Sequence, residues 1–547
     1  MSDVVNIAQE LAERAEATPD RDAVVVATGR RNPDGSAHYD IYDFRELNDR
    51  AGRYAAGLHR IGITRGTRTV LMVKPGREFF ALVFALYRVG AVLVLIDPGI
   101  EKKALKECLG EVEAEAFVGV PLAHVARIVF GSALATVGTL VTVGGPRPWG
   151  GASLDELLDP EPLPMVPTTE DEVAAILFTS GSTGVPKGAV YTHGTFSHQV
   201  RMLRAIYRFE DDEVDLSTFP MFALFMAALG FTSVIPDMDS RKPGSADPAK
   251  LIEAITDRGC TNMFGSPALL ERLSSHGTEH GTTLPTLRRV LSAGAPVRHD
   301  ILEAVRAMIG DAQIFTPYGA TEALPVANIG SDEVLGETHA LTAEGEGICV
   351  GRPVDEMTVR VIGITDEAIE QWSDDLVVPV GTVGEITVRG PVVTKEYFGR
   401  PRRTALAKIR EGEHVVHRMG DLGRFDAQGR LWMYGRKAHR VRTAAEDVFT
   451  VPVEMIFNGL PGIRRTALVG VPDGEARRPV LVVEPQAGSR TGDAELAAYV
   501  RSVAAGHPIA GVVSDVLIHR EPFPVDIRHN AKIRRSKLAA WATERTA

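Results

Sequence analysis

VAAILFTSGSTGVPKG, Val173 to Gly188, opens with an apolar run and ends in glycines, hydroxyls and one cation. The apolar half reads as a buried strand. The second half gathers Thr179, Ser180, Gly181, Ser182, Thr183, Gly184 and Lys187. Glycines let backbone N–H groups approach an anion closely, hydroxyls donate to it, and a lysine adds charge. A phosphate cradle at a strand end is the expectation, against a plain Gly/Ser surface turn. It is not a Walker A loop, because Lys187 follows Pro186 and precedes Gly188.

Working outward, short β-branched runs alternate with helical segments, the pattern of an α/β fold. LRRVLSAGAPV, which carries Gly294, Ala295 and Pro296, and DAQIFTPYGATE read as two more strands ending in polar turns. Such strand ends are where α/β sheets place ligands. The tail, with RTALVGV, RPVLVVEPQ, DAELAAYVRSVAA and DVLIHR, has its own small β-α rhythm, and a boundary is expected at Gly435–His439.

The chain has 547 residues, net charge −11 and three widely spaced cysteines, Cys108, Cys260 and Cys349. The length predicts more than one domain. The acidic balance argues against a general nucleic-acid binder. The cysteines form no metal-binding or disulfide pattern and suit a cytoplasmic protein. The N-terminal stretch has no apolar signal region. Phe79–Gly99, the longest apolar stretch, is interrupted by Arg88 and Gly90 and reads as a buried helix running into a strand, so no transmembrane segment is expected.

Four further motifs follow the first in order: YGATE (Tyr318–Glu322), GD (Gly420–Asp421), YGRKAHRV (Tyr434–Val441) and NAKIRR (Asn530–Arg535). An aromatic ring such as Tyr318 stacks on bases, a carboxylate such as Glu322 holds a hard cation, and Asp421 can accept from sugar hydroxyls. Singly, each is as well explained by packing, a solvated charge or a turn.

Together the motifs resemble those of the adenylate-forming superfamily: acyl-CoA synthetases, peptide-synthetase adenylation domains and luciferases. The resemblance implies a large α/β N-terminal domain (1–435) of layered subdomains, a hinge (436–439) and a small mobile α+β C-terminal domain (440–547). It implies ATP and Mg²⁺ as cofactors. Thr179 to Gly184, Lys187, Gly294, Ala295, Pro296, Tyr318, Gly319, Asp421 and Arg436 would bind nucleotide. Thr321, Glu322 and Lys532 would be catalytic, with Glu322 also the metal ligand and Lys532 entering from the small domain. A basic helix containing Lys532 is the plain alternative for that residue.

Three positions depart from the common pattern: Ala223 in FPMFALF, Ala438 after the hinge arginine, and Ala445 before Glu446. With TPYGATEALPV and FPVDIRHNAKI, they are similar to one branch, the OleC-type β-lactone synthetases of bacterial olefin and β-lactone biosynthesis. That implies a 2-alkyl-3-hydroxy fatty acid whose own 3-hydroxyl attacks the acyl-adenylate, and other enzymes of the same lipid pathway as partners. A long-chain acyl-CoA or acyl-AMP ligase and a degenerate nucleotide-binding module remain as alternatives. His193, His198 and His529 are candidates for the base, none favoured. The apolar segments around Phe222–Phe225 and Asn262–Leu270 suit an alkyl chain.

Overall fold

The computed structural model describes residues 5–96, 100–179, 186–525 and 532–546, without the side chains of 179 and 220–224. Ser180 to Gly184 and His529 lie outside the described residues, and nothing is said of the side chains of Thr179 or Ala223.

Two seven-stranded sheets dominate the first part of the chain. One runs Ala152–Ser153, Thr139–Thr142, Ala116–Gly119, Arg68–Met72, Val92–Ile96, Val173–Thr179, Lys187–Thr192. The other runs Gln313–Phe315, Arg289–Leu291, Asn262–Phe264, Val214–Ser217, Thr232–Ile235, Asp22–Arg31, Ala37–Asp43. Each is parallel until its last pair, which is an antiparallel hairpin. Parallel strands need covering on both faces, which explains their continuous Val/Ile/Leu runs.

Between the sheets lies the helix Arg77–Arg88, in which every residue from Phe79 to Tyr87 is buried. A helix apolar on all sides belongs in a core or a membrane. Here it packs in the main core with Phe44, Leu58, Leu93 and Phe231 and leads into the strand Val92–Ile96, as the sequence predicts. No helix among the described residues is long and apolar enough to cross a membrane. All three cysteines are buried and unpaired, and burial pushes the Cys108 thiol up to about 12.

A third sheet of six antiparallel strands follows, built around the long strand His414–Phe425. It ends in Leu431–Arg436, and a 3-10 turn, Lys437–His439, leads away from it. Beyond that turn a separate core forms from the hairpin Ile463–Asp473/Ala476–Pro485, the parallel strand Asp515–Ile518, and the helices Thr450–Phe457 and Asp493–Ala505. The last helix begins at Arg535. Lys532 therefore precedes the basic helix and does not sit in it, which corrects the plain alternative reading of that residue. Its neighbour Ile533 bridges to Val525.

The turn itself is anchored at both ends. Lys437 Nζ donates to Glu385 Oε2 at 2.9 Å and to the Thr365 carbonyl at 2.8 Å. Glu385 also takes Arg418 at 2.6 Å, and both of those side chains are 1% exposed. Arg440 pairs with Asp366 on one side and Asp447 on the other. Gly435 adopts φ of 114°, and a Cβ there would lie 2.6 Å from Thr450 Oγ1, so the small-domain helix packs directly on the chain reversal.

Candidate active site

The carboxyl ends of the strands, the six-stranded sheet and the tail around Lys532 enclose one cavity of about 2990 Å³. Lys187, Gly294, Ala295, Pro296, Tyr318, Gly319, Thr321, Glu322, Asp421, Arg436 and Lys532 all line it. Residues spread over more than 300 positions of sequence thus share one wall. Thr179 is present as backbone, paired with Lys187 in the hairpin. Of the three departures, Ala438 lines the cavity. Ala445 is exposed, in a turn closed by Thr443.

Asp421 and Arg436 face each other on neighbouring antiparallel strands. Register alone therefore sets their ion pair, Nε to Oδ1 at 3.0 Å. The Tyr318 hydroxyl donates to the other carboxylate oxygen at 2.7 Å. Asp421 is almost wholly buried and sits between a donor and a cation. The Asp421 charge holds the Arg436 guanidinium above its usual range. Burial first, then Asp421, pushes the Tyr318 phenol far up, so it remains a donor.

Glu322 accepts from the Tyr397 hydroxyl. The Tyr397 ring carries Lys187 Nζ 4.8 Å from its centroid and Lys408 Nζ at 5.8 Å. Lys408 is buried and donates to the carbonyl and hydroxyl of Thr394. Thr394 in turn donates its N–H to the Glu322 carbonyl at 2.9 Å. Burial works against the Glu322 charge, but His417, the Tyr397 hydroxyl and Lys408 outweigh it and hold the carboxyl at about 2. His417 is pushed down to about 3, by burial and then by Lys408. It is thus neutral at neutral pH, and Lys408 with Tyr397 are the groups that keep Glu322 ionised. Burial lowers Lys408 to about 7 against the pull of Glu322. It also lowers Lys187, again opposed by Glu322.

Tyr397, Lys408 and His417 carry no motif signal, and the sequence reading missed them. So it did His299 and His339, which line the cavity with rings stacked at 3.7 Å. Of the candidate bases, His193 is buried away from the cavity, where its Nδ1 accepts from the Ile7 N–H at 3.2 Å. His198 bonds Glu170 at 2.6 Å, also outside the cavity. On the apolar side, Phe219, Phe225, Phe264 and Ala268 line the same space, so both segments expected to face an alkyl chain reach it.

Residues 11–398 match the AMP-binding enzyme family. The chain belongs to the AMP-binding enzymes. This AMP-binding enzyme is 51% identical over 548 residues to an olefin β-lactone synthetase of Stenotrophomonas maltophilia, with 98% of each chain covered. It is 49% identical over 563 residues to an olefin β-lactone synthetase of Xanthomonas campestris pv. campestris, covering 100% of this chain and 98% of that one. Among solved structures it is similar to ATP-bound MatB from Rhodopseudomonas palustris, with TM-score 0.79, 22% identity and coverage of 99% and 100%. That likeness shows the fold of the AMP-binding enzyme: mixed α/β, with sheets and helices interleaved.

Proposed function

We propose that this chain is an ATP-dependent β-lactone synthetase acting on 2-alkyl-3-hydroxy fatty acids. The observation that carries the reading is 51% identity across 98% of the chain to an olefin β-lactone synthetase. The cavity supports it by joining a cationic, hydroxyl-rich wall to an aromatic, aliphatic one.

In the first step the substrate carboxylate attacks the α-phosphorus of ATP. The bond to the β-phosphate breaks, and pyrophosphate leaves. Positioning and charge neutralisation dominate such displacements. Lys187 faces the departing phosphates, Lys532 the carboxylate and α-phosphate, and Thr321 donates to phosphate. Asp421, held between Tyr318 and Arg436, accepts from the ribose hydroxyls. The turn at Gly294, Ala295 and Pro296 and the Tyr318–Gly319 backbone border the base. Residues 1–435 form the substrate-binding domain, 436–439 the hinge and 440–547 the domain that brings in Lys532.

Mg²⁺ fits Glu322. The carboxylate lines the cavity, is kept ionised, and has one oxygen fixed by Tyr397. Mg²⁺ takes one or two carboxylates and completes its shell with phosphate oxygens and water. No group of three or more metal-binding side chains exists among the described residues, which suits an ion that arrives with the nucleotide. When bound, the ion supplies neutralising charge to the phosphates.

In the second step the 3-hydroxyl oxygen attacks the acyl carbon. The bond to AMP breaks, and a four-membered lactone closes. Neither His193 nor His198 reaches the cavity, so the hydroxyl proton passes to the departing AMP phosphate. Intramolecular attack in a fixed geometry can reach effective molarities of roughly 10⁵–10⁸ M, enough to tolerate ring strain without an external acceptor. The reading places the enzyme in the cytoplasm, where three buried unpaired cysteines stay reduced, alongside other enzymes of the same lipid pathway.

The test is incubation with ATP, Mg²⁺ and a 2-alkyl-3-hydroxy acid, with and without coenzyme A. Lactone and pyrophosphate without coenzyme A are expected. A product formed only as a coenzyme A thioester overturns the reading in favour of a ligase.

A further inference from the structure

The helix Pro121–Phe130 starts at the carboxyl end of the strand Ala116–Gly119, beside the cavity. Its inward side is fixed by His124, whose Nε2 bonds the Val141 carbonyl at 2.9 Å and whose ring stacks on Trp149 at 4.8 Å. The opposite side bears Leu122, Val125, Ile128 and Val129, which are 77%, 48%, 56% and 75% exposed. Positions 122, 125 and 129 recur at helical spacing and form one stripe. These four are the largest concentration of exposed aliphatic side chains among the described residues.

The stripe is continuous with the cavity. Leu122 and Ala126 line the rim, as do Ala104 and Leu105 of the neighbouring helix Lys102–Val112. The charge around it has one sign. From Ala116 to Leu154 the chain has Arg127 and Arg147 and no acidic residue, in a protein whose net charge is −11. Lys102, Lys103 and Lys106 are exposed on the neighbouring helix.

An apolar face of this size marks a protein or membrane contact. The stripe holds no Trp or Tyr, the residues that anchor protein interfaces. Aliphatic side chains flanked by lysine and arginine are what an anionic membrane surface attracts.

We propose that this face docks on an anionic lipid bilayer, from which the alkyl-chain substrate enters the cavity at the adjoining rim. The substrate part rests on the proposed function, and the docking part does not. A two-chain hydroxy acid partitions into bilayers, so a rim pressed against the bilayer spares its transfer through water.

The test is co-sedimentation with large vesicles of phosphatidylcholine, with and without phosphatidylglycerol. Binding is expected to the mixed vesicles and to weaken as salt is raised. V125D/V129D alters residues outside the cavity. It is expected to weaken vesicle binding at least about tenfold while leaving turnover of a short-chain hydroxy acid in vesicle-free buffer unchanged. K102E/K103E/K106E is expected to weaken binding to the mixed vesicles only, which keeps the test valid if the first variant folds poorly. No sedimentation of the wild type, or equal sedimentation of both variants, overturns the proposal. So does a fall in particle mass on V125D/V129D substitution, which gives the face to a second copy of the chain. Lactone formation without vesicle binding sinks the docking alone. Vesicle binding without lactone formation sinks the proposed function alone.

Discussion

The Tyr318 hydroxyl lies 2.7 Å from Asp421 Oδ2, joining two motifs 103 residues apart in the chain. The bond aims a carboxylate that Arg436 alone would leave free to rotate. A hydrogen bond to a charged group contributes about 1.5–3 kcal/mol. Tyr318→Phe is therefore expected to raise the KM for ATP by about tenfold or more, with a smaller effect on kcat. Pyrophosphate release measured against ATP concentration checks this. An unchanged KM would mean that Asp421 is positioned without the phenol.

Lys532→Ala is expected to reduce adenylation by a factor on the order of 10²–10³, while ATP still binds. Single-turnover acyl-AMP formation and an equilibrium ATP titration separate the two effects. Undiminished adenylation would remove Lys532 from the mechanism.

Acid should destabilise the large domain through its buried histidines. Burial pushes His193 down to about 4 and His417 to about 3, from an ordinary value near 6.5. Between those values and 6.5 the unfolded chain binds protons that the folded chain does not, so stability rises with pH in that window and falls as pH drops through it. Each histidine contributes a slope of about 1.4 kcal/mol per pH unit well below 6.5. His193→Asn is expected to remove about that much of the slope between roughly pH 6 and 4.5. Urea unfolding across this range is the measurement, and an unaltered slope would show that His193 is already charged in the fold.

Breaking the buried charge cluster at the hinge should be costly. Glu385→Gln leaves Arg418 and Lys437 without their carboxylate and is expected to cost about 3–5 kcal/mol. A urea midpoint unchanged from wild type would mean that Thr365 and the other carbonyls suffice. A double change to apolar partners, Glu385→Leu with Arg418→Met, is expected to recover part of the loss.

The strand ending at Thr179, the buried helix before Val92 and the small-domain core were all readable, because each rests on local periodicity. The phosphate loop and YGATE were readable because their chemistry sits in consecutive residues. Tyr397, Lys408 and His417 were not. Each is unremarkable in its own segment, and they meet Glu322 only because a loop, Lys408–Glu411 and His414–Phe425 are folded together beside it. Burial then changes what they are: an ordinary lysine becomes one near 7 and a histidine becomes a neutral spacer. The position of Lys532 ahead of its helix was likewise hidden, since KIRRSK extends the helical composition past the true start at Arg535.

The antiparallel pairing of Thr179 with Lys187 has one more consequence. The segment between them returns into a strand, and the next helix begins only at His193. An anion held there faces no helix N-terminus and none of the roughly half-charge that such an end supplies. The fixed backbone field is replaced by the ammonium of Lys187 on a chain of single bonds. A by-product gripped in this way can be shed by rotating a side chain, with no secondary structure to take apart.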